Sequence, residues 1–124
     1  MLAGCDVVAF LATTQPAKAR AFYCDVLGLR FVEDGPFALV VEAANVTVRI
    51  QKVREFKPVP FTAIGWAVGD VRETAKQLAG KGVRLERFEG MGQDDLGIWV
   101  SPSGAKVCWF KDPDGNVLSL TQFG

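Results

Sequence analysis

No histidine occurs among the 124 residues. A neutral-pH imidazole base and every histidine-ligated metal centre are therefore excluded. The other residue types able to do chemistry are few. Asp94 and Asp95 are adjacent, but they follow Gly90-Met91-Gly92-Gln93, a flexible stretch in which carboxylates are ordinarily just solvated. One of them would serve as a general base only if burial raised its pKa. Cys5, Cys24 and Cys108 are an odd, unpatterned set, which suits reduced thiols in a cytoplasm better than a disulfide framework. Arg49 and Gln51 alternate with Val48 and Ile50, so a strand here carries a guanidinium and a carboxamide on the face opposite its apolar one. A guanidinium so placed can hold an anion or a carbonyl through charge-assisted hydrogen bonds. The plain alternative is a solvated side chain bonded to a rim carboxylate.

Composition narrows the setting. Lys+Arg and Asp+Glu balance at 14 each, and the calculated pI is 6.2. No basic surplus points to nucleic acid or to an anionic membrane surface. The N-terminus lacks the basic and apolar regions of a secretory signal, and no apolar run approaches a membrane span. The expectation is a cytoplasmic protein with no nucleic-acid partner and no membrane partner. Apolar residues make up 49%, enough for a chain of this length to bury a core without staples.

The elements that must position these residues fall into two similar halves, residues 1–53 and 61–124 of one domain spanning 1–124. Val7–Thr13 reads as a strand. Thr14 is the expected cap of a helix with Pro16 in its first turn, a stripe at Ala19, Phe22, Tyr23, Val26 and Leu27, and a stop at Gly28. Strands are expected at Leu29–Glu33, Phe37–Glu42 and Val46–Lys52. The second half repeats the plan: a strand at Thr62–Val68, a capping pair Asp70/Glu73, and a helical stripe at Val71, Thr74, Ala75 and Leu78, stopped at Gly80 and Gly82. Strands follow at Val83–Phe88, Lys106–Lys111 and Val117–Thr121, with a short extended piece at Leu96–Val100. Arg54–Pro60, with two prolines, reads as an exposed linker whose charges, like that of Lys52, are solvated.

Two segments carry a resemblance. Lys18-Ala19-Arg20-Ala21-Phe22-Tyr23-Cys24-Asp25-Val26-Leu27-Gly28-Leu29 resembles the first-helix motif of the vicinal-oxygen-chelate superfamily, which includes glyoxalases, bleomycin-resistance proteins and dioxygenases. Trp109-Phe110-Lys111-Asp112-Pro113-Asp114-Gly115-Asn116 resembles that superfamily's closing hairpin, with Val117-Leu118-Ser119-Leu120 as the last strand. The resemblance implies an α+β fold of duplicated βαβββ units forming a curled sheet around a concave cavity, with the helices on the convex side. Neither motif carries chemistry; both identify a scaffold, and function must be argued from the site.

In the superfamily the concave face usually holds a divalent metal through side chains from four strands. By the resemblance those positions fall at Val8, Ala63, Ser119 and either Arg49 or Gln51. A catalytic site needs about three donors of the imidazole, thiolate or carboxylate kind. This set supplies none, so the chain is expected to be a member without metal or other cofactor. Placing Val8 and Ser119 inward makes Phe10, Thr47, Arg49, Gln51, Trp109, Ser119 and Thr121 the expected ligand-binding residues, with Trp99 at the rim. Ala63, Gly65 and Ala67 are expected to leave room, while Trp66 falls on the core side.

The resulting expectation is a homodimeric protein that binds a small aromatic or anionic molecule rather than transforming it. The alternative is a lyase, isomerase or dioxygenase-type enzyme of the same superfamily, with or without a metal.

Overall fold

A computed structural model describes residues 1–124. The chain divides into two compact units, Met1–Lys57 and Pro58–Gly124, each a βαβββ motif. Their strand orders are β1-β4-β3-β2 and β5-β8-β7-β6, so both sheets share one topology. In each sheet the first strand runs parallel to the last, and the remaining pairs are antiparallel. The class is α+β, with the expected duplication.

In the first unit, β1 (Val8–Thr13) leads into α1 (Pro16–Arg20), which continues as a π-helical segment over Ala21–Val26. The expected cap at Thr14 is not the one used. Gln15 takes the capping position without a side-chain bond, and Thr13 Oγ1, wholly buried at the end of β1, accepts from the Gln15 amide at 3.0 Å. The wider π turn shows in the Leu27 amide, which donates to the Phe22 carbonyl at 2.9 Å. Gly28 ends the segment at φ +76°, as a C-terminal glycine should.

Strands β2 (Arg30–Asp34), β3 (Ala38–Ala43) and β4 (Val46–Lys52) follow. Leu11, Ile50 and Leu39 lie side by side across β1, β4 and β3, with Val48 beside Val41 in the next row. All five are buried, and with Ala19 and Tyr23 from the helical segment they supply this unit's core. Each such aliphatic side chain contributes about 1.5–3 kcal/mol by leaving water.

In the second unit, β5 (Thr62–Ala67) leads to α2 (Val71–Gly80). The expected cap is present: Asp70 Oδ1 accepts from the Glu73 amide at 3.0 Å. Helix α2 packs on β7 (Lys106–Lys111) and β8 (Val117–Gln122), burying Val71, Ala75 and Leu78. Across from them lie buried Cys108, Phe110, Leu118 and Leu120, and Trp66 stacks on Phe110 with ring centres 6.4 Å apart. The β7–β8 turn is tied by Asp112, whose Oδ1 accepts from the amides of Asp114 and Asn116 at 2.9 Å.

Residues 83–88 do not form the expected strand. They make one isolated bridge, Leu85 to Phe110, and the partner strand of β7 is instead β6 (Trp99–Val100). The reason lies in their hydrogen bonds. The Glu86 amide donates to the Trp109 carbonyl, but the Glu86 carbonyl and Phe88 amide are taken by the side chain of Gln93. A side chain thus satisfies groups that a ladder would otherwise pair.

Candidate ligand-binding site

Alternation along β7 puts Cys108 and Phe110 into the core and turns Val107 and Trp109 to the face away from α2. Gly65, Ser119 and Trp109 form one row across β5, β8 and β7. Ala67, Thr121, Val107 and Trp99 form the next, extending onto β6. Trp109 is the centre of an aromatic group: Phe88 meets it edge-on at 5.4 Å, and Trp99 lies tilted against it at 6.1 Å.

Beside Trp109 is a cavity of about 240 Å³. Pro60, Phe61 and Thr62 bound it where the chain enters β5, Phe88 and Met91 line it from the following loop, and Trp109 and Val117 line it from the sheet. No charged side chain is among them. The polar group is Thr62, whose Oγ1 accepts from the indole Nε1 of Trp109 at 3.2 Å.

The loop wall is held from outside. Gln93 Nε2 donates to the carbonyls of Glu86 and Gly97 at 3.0 and 2.7 Å, while its Oε1 accepts from the Phe88 amide at 2.7 Å. Asp94 Oδ1 accepts from the amides of Leu96 and Ile98, and Arg72 of α2 bridges to Asp94 and Asp95 at 3.2 and 3.3 Å. These adjacent acids anchor a loop to a helix; they do not line the cavity.

Of the residues expected at a site, Trp109 lines this cavity, and Trp99 packs against Trp109 without lining it. Ser119 is Trp109's neighbour in the sheet, and Thr121 is one row further on. The room expected around Gly65 is taken up, since a Cβ there would stand 2.5 Å from Ser119 Oγ. Phe61, Thr62, Phe88 and Met91 were not among the expected residues, and Pro60 belonged to the expected linker. The one available signal was the apolar run Val59-Pro60-Phe61 leading into β5.

The other four expected residues lie in the first unit, on the sheet face away from its helix. Phe10, Arg49 and Val40 form one row; Val8, Thr47 and Glu42 flank it on one side, and Ala12, Gln51 and Ala38 on the other. Phe10 is 57% exposed and Arg49 half-buried. The guanidinium of Arg49 makes no ion pair or hydrogen bond within the chain.

Two cysteine thiols are shifted. Burial, with a smaller contribution from the Asp94 charge, pushes Cys108 up to about 11. Burial also raises Cys24. On the surface, the hydrogen bond from Lys52 holds the Asp34 carboxyl below its usual range.

The residues that the resemblance puts at the superfamily's metal positions do not fit a cation. Val8 lies across from Thr47, Ala63 lies in an irregularity of β5, and Ser119 offers a neutral hydroxyl packed against Gly65. No three His, Cys, Asp or Glu side chains gather as a cation would require. No helix is long and apolar enough to cross a membrane.

A search of curated proteins found no match. Solved structures match over nearly the whole chain. An antibiotic binding protein from Streptomyces, TnmS3, is 21% identical with a TM-score of 0.76, covering 100% of this chain and 99% of its own. A superfamily member from Sphaerobacter thermophilus is 25% identical with a TM-score of 0.75, covering 98% and 99%. The lactoylglutathione lyase of Agrobacterium tumefaciens is 17% identical with a TM-score of 0.74, covering 96% and 93%. The family model matches residues 5–120, and the chain belongs to the Glyoxalase/Bleomycin resistance protein/Dioxygenase superfamily.

Proposed function

We propose that the chain binds a small, flat aromatic molecule, without a metal, in the cavity against Trp109. The observation that carries this reading is the lining: aromatic and aliphatic side chains, one hydroxyl and no charge. Such a cavity favours a planar apolar body and uses a single polar contact to orient it. The donor set at the superfamily's metal positions supports binding without a cation. So does the description of one structural relative as an antibiotic binding protein.

Native mass spectrometry of gently purified protein should reveal a co-purified aromatic compound. Titration with 2-acetylnaphthalene, followed by tryptophan fluorescence, should saturate. Trp109→Ala should weaken that binding by about tenfold or more while far-ultraviolet circular dichroism stays unchanged. A lack of saturable binding by any flat aromatic compound in a broad panel would sink the reading.

The proposal includes two further elements. Arg49 is the anchor for an anionic ligand on the first unit, where an unpaired guanidinium stands beside Phe10, Thr47 and Gln51. The chain is a homodimer, a state supported by the position of β1 and β5 as terminal strands of their sheets and by the exposed Val8 and Phe10. Light scattering that reports a monomer at every concentration would remove the dimer.

A further inference from the structure

We propose that Thr62 is the specificity-determining residue of the Trp109 cavity, selecting an uncharged flat aromatic ligand that carries a hydrogen-bond acceptor on its edge; this rests on reading the cavity as a ligand site. The backbone puts Thr62 there by an irregularity. Strict alternation would place Thr62 with Ile64 and Trp66, beneath α2. However, Thr62 lies across from Val117 and Ile64 across from Leu118, so β5 uses two steps where β8 uses one. The extra residue turns Thr62 to the face of Val117 and Trp109, as a bulge next to a site commonly re-aims a side chain.

The hydroxyl is then fixed by its partner. An indole N–H can only donate, so toward Trp109 the threonine oxygen must accept. One hydroxyl hydrogen remains, and Thr62 makes no other side-chain hydrogen bond within the chain. That hydrogen is a donor without an internal acceptor, on a side chain that lines the cavity. Around it, Pro60, Phe61, Phe88 and Val117 offer no side-chain polar atom, and the Met91 thioether is a weak acceptor.

The chemistry of the ligand follows. A carbonyl or ether oxygen at the edge of an aromatic body can accept from Thr62 while the rings lie against Trp109 and Phe88. A carboxylate would shed its hydration for one neutral hydroxyl, with no cation in the lining to compensate. An ammonium would likewise shed its hydration for the hydroxyl's one remaining lone pair, with no carboxylate in the lining to compensate.

The test uses the full chain and two probes of similar shape, 2-acetylnaphthalene and 2-isopropylnaphthalene, titrated by calorimetry. The readout is the ratio of their affinities, compared between variants so that their different hydration cancels. Thr62→Val should lower the ketone-to-hydrocarbon ratio by roughly threefold to tenfold, through loss of ketone binding alone. Thr62→Ser should keep the original ratio. Hydrocarbon binding retained by Thr62→Val shows that the cavity is intact. A ratio unchanged by Thr62→Val, with both probes bound, overturns the role of Thr62 and leaves the cavity standing. If neither probe binds the unaltered protein, the cavity reading and this inference fall together.

Discussion

The Ser119 hydroxyl lies over Gly65 at the place where any larger residue would put its Cβ. A Cβ built on Gly65 would stand 2.5 Å from Ser119 Oγ and 3.2 Å from the Ser119 carbonyl oxygen. The two residues face each other across the parallel β5–β8 pair. Gly65→Ala should therefore destabilise the fold by about 1–2 kcal/mol, since the serine must rotate and the strands must part slightly. Ser119→Ala removes the nearer clash, so the double variant should recover part of that loss. Urea unfolding of the two single variants and the double variant measures the coupling, and strict additivity would contradict the contact.

Gln93 holds the loop that carries Phe88 and Met91, with hydrogen bonds to Phe88, Glu86 and Gly97. Gln93→Ala should cost about 2–4 kcal/mol, the sum of three modest hydrogen bonds. Hydrogen exchange should speed up at the Phe88 amide, and naphthalene probes should bind more weakly as two walls of the cavity loosen. Unchanged exchange at Phe88 would show that the loop is held by other means, such as Arg72 with Asp94 and Asp95.

Cys108 gives the protein an alkaline limit. Its thiol titrates near 11 when folded, against 9.0 for the free group, chiefly because burial penalises the thiolate. Between those values the unfolded chain has lost the proton that the folded chain retains. The stabilisation is thus complete below pH 9 and declines as pH rises toward 11. Urea midpoints should fall across that window, and Cys108→Ala should fall less steeply than the unaltered chain. A thiol reagent at pH 8 should modify exposed Cys5 quickly and Cys108 only after unfolding.

Arg49 can be tested independently of the Trp109 cavity. Arg49 is half-buried, and its guanidinium is unpaired in the row beside Phe10. Arg49→Lys should weaken binding of 2-naphthoate by about 1–3 kcal/mol, because an ammonium cannot reproduce two parallel hydrogen bonds. Arg49→Ala should cost no less. Binding of 2-acetylnaphthalene should respond to neither change. Equal losses for the neutral and anionic probes would remove Arg49 as a charge anchor.

Local patterning was enough to read most of the scaffold. The alternation Val46, Val48, Ile50 marks β4 to the residue, Asp70 with Glu73 marks the start of α2, and the repeated strand–helix–glycine order marks the duplication. These features depend on neighbours within a few positions, so sequence alone fixes them. The family is legible for the same reason, in the Phe22-Tyr23 and Asp112–Asn116 motifs that build a helix and a turn.

What the sequence could not decide was set by contacts between distant residues. Residues 83–88 have strand composition, but Gln93 takes two of their backbone groups and the ladder position passes to β6. Thr62 belongs to the core face by strict alternation, and a one-residue shift against β8 turns it toward Trp109. A register shift costs no change of composition and leaves no periodic signal. It depends on how two strands 55 positions apart, at Thr62 and Val117, meet in the folded sheet.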